Sequence, residues 1–329
     1  MKRAILAVVA GSFAVHMTAA RAEKMPLPQQ YVERLKAPAT DAMQAAAGYL
    51  AGAQKDFKDV KATWPWEEKG AQAAPNAAGI VAKSLIAVYV RTSDPTVKAA
   101  AEAWGKARLA DVSAARMLYD PDIEALAELG KVTGEAAYTK AAKAAFDLRH
   151  SGANGREVVE RLFMVRKGND TLVGFDAAHT IRAGIAVGEV GKAREVAQAL
   201  AETEKRWNLS DKYGFYLTSR AAVLEALVAL KANLPLEASL RSQIIASQGK
   251  DGTWGQRNTQ ATAYSTRALF VSGDAKSLEA GKQGLQFLRT TQLKAGGWGT
   301  FNDYLPEPFV GESIYEVTAE VLLAVARSS

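Results

Sequence analysis

Hydrophobic residues along the chain recur at the spacing of one face of an α-helix, and they define two kinds of segment. One kind is rich in alanine and lysine and has a charged side, which is typical of helices with a solvated face. These segments span 41–55, 95–108, 135–147, 191–206, 236–248 and 275–291. The other kind is apolar on most faces, as expected of buried helices. These segments span 76–92, 120–131, 173–188, 216–231, 257–272 and 312–327.

The two kinds of segment alternate strictly, which predicts about six helical hairpins, each with one outer and one inner helix. Six inner helices surrounded by six outer ones predict an all-α fold, an α6/α6 toroid with a double ring of helices. An open solenoid of helix pairs is the alternative. The number of pairs and the apolar inner series favour the closed ring. The stretch 151–170 fits neither series and is interpreted as an inserted loop or a short extra helix.

The composition agrees with a helical fold and excludes several kinds of site. About a fifth of the residues are alanine and only 10 are proline, which favours helix. The sequence has no cysteine, which excludes disulfides, cysteine-ligated zinc, iron–sulfur clusters and a thiol nucleophile. Hydrophobic residues make up 48% and charged residues 23%, as in globular proteins. We expect neither a metal nor a cofactor.

The N-terminus has the pattern of a secretory signal peptide. Lys2 and Arg3 precede the mostly apolar run Ala4–Val15, and Ala20-Arg21-Ala22 fits an A-x-A cleavage site. The predicted divisions are a signal peptide at 1–22, an N-terminal arm at 23–39 and one toroid domain at 40–329. Cleavage would lower the formal net charge from +6 to +3. We therefore expect a periplasmic or secreted protein with no stable membrane insertion and no nucleic-acid partner.

The links that lead from outer into inner helices carry glycine and aromatic residues in a repeating pattern. In the last two links a Gln is followed after three residues by Gly, and after one more by Trp. The matching positions are Gln248, Gly252 and Trp254, then Gln292, Gly296 and Trp298. Phe287-Leu288 precedes the second set, and Gln54 ahead of Trp64-Pro65-Trp66 matches only loosely.

This pattern resembles the QW repeat of squalene–hopene and oxidosqualene cyclases. The chain is thus similar, specifically over about 236–327, to the toroid superfamily of terpenoid cyclases and protein prenyltransferases. The resemblance implies a central cavity that binds an apolar or amphipathic, isoprenoid-like ligand. A Gln amide can bond backbone groups left over at a helix end, and an indole can pack over the corner. Gln248, Trp254, Gln292 and Trp298 are therefore predicted to form structural corners.

Asp120-Pro121-Asp122 opens an inner helix, where class II terpene cyclases carry a D-x-D-D acid motif. The resemblance makes Asp122 a candidate catalytic acid, although Ile123 stands at the fourth position of the motif. Helix capping is the alternative role, because Asp at a helix N-terminus binds free N–H groups and complements the helix dipole. The zinc site of protein prenyltransferases is excluded, since it needs a cysteine.

A different function is compatible with the same fold. Asp176, His179 and Arg182 lie at i, i+3 and i+6, along one helical stripe. Polysaccharide lyases built on α/α toroids need a Tyr or His base, and an Arg or Asn that neutralises a uronate carboxylate. The candidates are His179 or Tyr216 as the base, with Arg182, Arg220 or Asn258. One alternative is therefore a periplasmic polysaccharide lyase or another carbohydrate-active enzyme, and a second is a noncatalytic interaction scaffold.

The links into the inner helices are expected to surround one mouth of the toroid, and a concave mouth is the usual place for a ligand. The candidate ligand-binding residues there are Trp66, Tyr119, Phe175, Arg220, Asn258 and Tyr304. Aromatic side chains mixed with charges of both signs predict a small-molecule or glycan partner rather than a purely apolar one.

Overall fold

A computed structural model of the protein describes residues 39–161, 163–166, 169–172, 174–204, 215–299 and 313–328, and these contain thirteen helices and one short hairpin. The helices are α1 (Ala39–Gly52), α2 (Pro75–Thr92), α3 (Pro95–Ser113), α4 (Asp120–Thr133), α5 (Ala136–His150), α6 (Gly155–Arg161), α7 (Gly174–Ala186), α8 (Val190–Thr203), α9 (Phe215–Leu230), α10 (Pro235–Ala246), α11 (Thr259–Ser272), α12 (Ala275–Thr290) and α13 (Tyr315–Ser328). Twelve of them match the twelve predicted segments, within a few residues at each end.

The inner helices form a closed ring. They are α2, α4, α7, α9, α11 and α13, and each packs against the next in this order. Helix α13 packs in turn against α2, so the sixth inner helix meets the first. The outer helices α1, α3, α5, α8, α10 and α12 pack around this ring. The predicted α6/α6 toroid is therefore confirmed, and the open solenoid is not.

Local sequence signals define where many helices begin. Asp94, Asn258 and Asp274 each accept a hydrogen bond from a backbone N–H in the first turn of α3, α11 and α12. Proline occupies the first turn of α2, α3, α4 and α10, where its missing N–H costs nothing. Gly79 allows α2 to approach α4, since a Cβ there would lie 2.4 Å from the backbone nitrogen of Asp122.

Three Gln–Trp corners share one hydrogen-bond pattern. Each indole Nε1 donates to a backbone carbonyl of the preceding outer helix at 2.7 Å; the pairs are Trp64 with Leu50, Trp254 with Ile244 and Trp298 with Leu288. Each Gln Nε2 donates to a carbonyl of the next outer helix; the pairs are Gln54 with Ala100, Gln248 with Ala280 and Gln292 with Ala42. The loose sequence match at Gln54 and Trp64 is thus a third corner of the same kind.

The corner at Gln292 also joins the two ends of the ring. Its amide donates to Gly296 at 2.7 Å and to Ala42 on α1 at 2.9 Å, so it connects the last outer helix to the first. Gly296 has φ of +104°, and a Cβ there would lie 2.5 Å from the carbonyl oxygen of Ala45. A glycine is therefore required where the last link passes α1.

The stretch 151–170, which fits neither helical series, holds additional elements between α5 and α7. It contains α6 and most of an antiparallel hairpin of β1 (Phe163–Arg166) and β2 (Asn169–Leu172), in which Phe163 pairs with Leu172. Among all the described helices, none has the length and apolar character needed to cross a membrane.

Candidate functional site at the ring axis

The axis of the ring carries buried charged residues from all six inner helices. We call the deeper set the axial cluster; it consists of Lys83, Glu124, Glu128, Arg182, Glu225, Arg267 and Arg327. Lys83, Arg182 and Arg267 are each the ninth residue of their helix, so they lie at a similar depth. Five of the seven side chains are almost fully buried.

Two carboxylates organise the axial cluster. Glu225 on α9 is bonded by Arg182, Arg267 and Arg327, which come from α7, α11 and α13. Glu124 on α4 is bonded by Lys83 from α2 and by Arg182 at 3.3 Å. Burial by itself raises the pKa of both carboxyls, but the neighbouring cations lower the pKa of each below its usual value. Both are therefore ionised at neutral pH.

A second group of polar residues, the mouth carboxyls, lies closer to the N-terminal ends of the inner helices. It consists of Asp176, Glu316 and Glu320. Asp176 is the third residue of α7 and Glu316 is the second of α13, and these helices lie on opposite sides of the ring. The charge of Asp176 nevertheless acts on Glu316 and raises its pKa. Both residues lie in the first turn of their helices, at the end of the ring that we call the N-terminal mouth.

The mouth carboxyls differ in exposure and in acidity. Asp176 is partly exposed, whereas Glu316 and Glu320 are 8% and 0% exposed. Burial and the nearby charge of Asp120 raise the pKa of Asp176 to about 6. Burial raises the pKa of Glu320 to about 7, and burial with the charges of Glu320 and Asp176 raises that of Glu316 well above its usual range. Glu316 therefore holds its proton to a higher pH than an ordinary glutamate does, whereas Asp176 is mostly ionised at neutral pH.

His179 and Arg182, predicted as a pair, are in direct contact below the mouth carboxyls. The Nδ1 atom of His179 lies 2.8 Å from Nη2 of Arg182. A guanidinium only donates, so Nδ1 accepts and the ring proton sits on Nε2. Burial and the charge of Arg182 lower the pKa of His179 to about 4. His179 is therefore a neutral hydrogen-bond donor, which does not fit the role of the base.

Asp122 lies away from the axis. Its Oδ2 accepts a hydrogen bond from the backbone N–H of Tyr119 at 3.3 Å, so it caps α4. Burial raises its pKa to about 7, and the charges that act on it most are Arg108 and Asp111 on the outer helix α3. The structure thus places Asp122 as a cap that faces the outer ring, because its side chain points back along α4.

Two predicted ligand-binding aromatics lie on the rim of the N-terminal mouth. Trp66 is 43% exposed, and its carbonyl accepts from the N–H of Tyr315, next to Glu316. Tyr119 is 42% exposed and precedes α4, with the guanidinium of Arg149 5.6 Å from its ring.

The other predicted ligand-binding residues have different surroundings. Phe175 packs against the apolar core, and Asn258 accepts from the N–H of Ala261 as the cap of α11. Arg220 is buried on α9. Tyr304 lies outside the described residues, and only the backbone of Tyr216 is described.

Sequence reasoning missed most of the axial cluster, along with Glu316 and Glu320. A usable signal was present, because charged residues stand inside otherwise apolar stretches of the inner segments, such as the Glu in AAVLEALVAL. A charge on the buried face of a helix needs a partner on another helix. Such charges in successive inner helices therefore predict an ionic axis.

A separate concave feature lies at the opposite end of the ring. A cavity of about 290 Å³ is formed by the last turns of α2, α4 and α13, with a mainly apolar wall. Arg327 and Glu128 line it and connect it to the axial cluster. This cavity lies at the end of the ring opposite the mouth carboxyls, so a ligand bound in it would not contact them.

Similar solved structures are carbohydrate-acting enzymes. An unsaturated glucuronyl hydrolase specific for heparin matches with a TM-score of 0.63 and 11% identity, over 88% of this chain and 96% of that one. A polysaccharide lyase matches with a TM-score of 0.60 and 13% identity, over 88% and 96%. An inactive variant of the α-1,6-mannanase of Salegentibacter sp. HEL1_6, in complex with α-1,6-mannotriose, matches with 0.61 and 11%, over 88% and 99%.

At these identities the similarity establishes the fold alone. No protein-family model matches the chain, and no curated protein matches its sequence.

The resemblance to terpenoid cyclases and protein prenyltransferases is therefore wrong, and so is the isoprenoid-like ligand that it implied. The similar structures that cover most of the chain include a lyase, a mannanase and a glucuronyl hydrolase. The QW pattern misled because its Gln and Trp form helix corners, which any double ring of helices can use. The axis is also lined by ion pairs, whereas an isoprenoid-like ligand needs an apolar cavity.

Proposed function

We propose that the protein is an exported carbohydrate-active enzyme that cleaves glycosidic bonds at the N-terminal mouth. Asp176 and Glu316 are its catalytic carboxyl pair. The observation that carries this function is their placement: both carboxyls lie in the first turn of an inner helix, on opposite sides of the ring, and the pKa of each is raised. Two carboxyls whose environments separate their pKa values can serve as acid and base at the same pH.

The chemistry follows from these protonation states. Protonated Glu316 donates its proton to the glycosidic oxygen as the bond from that oxygen to the anomeric carbon breaks. Ionised Asp176 takes a proton from a water molecule, whose oxygen bonds to the anomeric carbon. The reaction consumes one water, and proton exchange with solvent restores both carboxyls. Trp66, beside Glu316, offers an exposed ring on which a sugar can stack.

Hydrolysis fits the site better than the lyase reaction does. A lyase needs a free base near the sugar carboxylate, and the Nδ1 lone pair of His179 is already occupied by Arg182. Arg182 itself is bonded to Glu124 and Glu225, so its charge is already compensated. The two reactions also differ in their products, since elimination leaves an unsaturated sugar and hydrolysis does not.

The test is an incubation of the purified protein with a panel of uronate-containing and neutral polysaccharides. New reducing ends and the ultraviolet absorbance of unsaturated products are measured in parallel. We expect reducing ends without new absorbance, and a loss of roughly 10²-fold or more in rate for Asp176→Asn and Glu316→Gln. Asp122→Asn is the matched control, because Asp122 is also the third residue of an inner helix and is also buried with a raised pKa.

Three results would overturn the proposal. One is that no polysaccharide in the panel is cleaved, including the case of a glycan that is bound and left intact. Another is that Asp176→Asn cleaves at the rate of the unsubstituted protein. The third is a rise in absorbance that matches the number of new reducing ends, which would indicate the lyase reaction.

A further inference from the structure

Glu316 and Glu320 form a close pair of buried carboxyls on α13. They are four residues apart, which places their Cβ atoms about 5–6 Å from each other on one face of the helix. Both are buried, and the Oε2 atom of each has no hydrogen-bond partner among the described residues. Buried carboxylate oxygens without donors are costly, so at least part of this pair is expected to be uncharged.

The helices packed against α13 supply no strong counter-charge. From α11, Gln260 donates to Oε1 of Glu320 at 3.2 Å. Tyr264 and the charge of Arg267 also lower the pKa of Glu320, but Arg267 is itself bonded to Glu225. From α2, Lys83 is bonded to Glu124.

The remaining neighbours add no cation either. Tyr49 of α1 donates to Glu68, and the buried face of α12 carries only small, apolar and hydroxyl side chains. Across the axis, α7 presents the further negative charge of Asp176. Among the described residues, no Lys or Arg nitrogen lies within 4 Å of either glutamate.

We propose that Glu316 and Glu320 hold a single proton between them at neutral pH, and that Glu320 is the positioning residue that keeps Glu316 in its acid form. Two carboxylates this close in a buried site cannot both be ionised, so the second proton to leave is held strongly. The role assigned to Glu320 in the reaction rests on the proposed function. The shared proton itself does not.

The surroundings place the proton on Glu316 rather than on Glu320. Glu320 receives a hydrogen bond from Gln260, and Tyr264 also lowers its pKa; polar donors of this kind stabilise a carboxylate. Glu316 receives none of these and faces the charge of Asp176. The ionised partner is therefore the deeper residue, and the protonated one is nearer to the mouth, where an acid is needed.

The test is a pH titration of the full chain with carboxyl-labelled glutamate, followed by carbon NMR. The Glu316 and Glu320 signals are assigned from their absence in Glu316→Gln and Glu320→Gln. We expect one of the two signals to titrate above pH 7 in the unsubstituted protein. In Glu320→Gln, the Glu316 signal should titrate at least about one pH unit lower, because the neighbouring charge is gone. The inference is overturned if both signals titrate near the ordinary glutamate range.

A second experiment, which measures kinetics, tests the role of Glu320. In Glu320→Gln the alkaline limb of kcat/KM should move to lower pH while KM stays nearly constant. Glu237→Gln, which removes a carboxyl paired with Arg241 on an outer helix, should leave the profile unchanged. An unshifted alkaline limb in Glu320→Gln would contradict the positioning role.

The two proposals fail separately. A carboxyl that titrates above pH 7 in a protein that cleaves no glycan would leave the shared proton intact and remove the proposed function. Glycan cleavage that depends on Asp176 and Glu316, in a protein whose Glu316 signal titrates at the same pH with and without Glu320→Gln, would keep the proposed function and remove the shared proton.

Discussion

At the scale of single residues, the distinctive feature is a set of charges buried within apolar helices. Glu225 shows how they are tolerated, because arginines from three different helices bond one carboxylate. Desolvating a charge is expensive, and only such direct partners offset the cost. The same rule separates the axial cluster from the mouth carboxyls, which have no directly bonded cation and whose pKa values are raised.

Removal of the central anion should therefore destabilise the fold. Glu225→Gln leaves three buried arginines without their shared carboxylate, and we expect the free energy of unfolding to fall by about 3–5 kcal/mol at neutral pH. Chemical denaturation measures this change. Glu237→Gln is the control, since its pair with Arg241 is partly exposed and should contribute less than about 1 kcal/mol. A loss for Glu225→Gln no larger than the control's would contradict the assigned role.

Glu320, unlike Glu225, should destabilise the folded protein when it is ionised. Between the ordinary glutamate pKa and about 7, folded Glu320 keeps a proton that the unfolded chain has lost. Stability therefore decreases as the pH rises through this interval. Glu320→Gln should unfold less readily than the unsubstituted protein at about pH 8, by at most about 3 kcal/mol, with no difference at about pH 4. If Glu320→Gln and the unsubstituted protein have the same stability at both pH values, the pKa of Glu320 is not raised.

At the scale of elements, the helices and their corners follow from local sequence. The alternation of amphipathic and apolar segments located all twelve ring helices, since side-chain burial repeats every 3.6 residues. The Gln–Trp corners were visible where the spacing was regular. The corner at Gln54 was only loosely visible, because its Trp stands ten positions after the Gln, whereas in the other two corners it stands six positions after.

The corner at Gln292 should contribute more to the free energy of unfolding than an ordinary side-chain hydrogen bond does. Gln292→Ala leaves the carbonyls of Gly296 and Ala42 without their donor and weakens the junction between α12 and α1. We expect a loss of about 1–3 kcal/mol in unfolding free energy. Gln243→Ala removes a hydrogen bond made within a single outer helix and should cost less. Similar losses for the two variants would show that the corner adds nothing to ring closure.

At the scale of the whole molecule, closure of the ring creates both the stability and the site. Helices α13 and α2 come from opposite ends of the described chain, and their contact aligns six N-termini around one axis. Only in this arrangement does Asp176 act on Glu316 from the other side of the ring. An open row of hairpins would keep each helix and lose that interaction.

A closed ring should unfold as one unit. Ending the chain after residue 273 deletes the last hairpin and exposes the apolar faces of α2 and α11. We expect the remaining helices to lose most of their helical circular dichroism and hydrogen-exchange protection, since an inner helix is stabilised mainly by packing. Replacing the β1–β2 hairpin by a short linker should preserve both, because the hairpin is not part of the ring. Five stable hairpins in the truncated chain would indicate solenoid-like behaviour instead.

The sequence by itself determined the helices, their division into two series, the closed ring and two of the corners. These features depend on periodicity and on turn-forming residues, and both can be read within a short window of sequence. The tertiary structure alone decided which charged residues meet. Asp122 and Asp176 are each the third residue of an inner helix, yet one caps its own helix and the other acts on Glu316, which lies on the opposite inner helix. That difference depends on the rotation of each helix about its own axis and on partners far away in the chain, which no local pattern records.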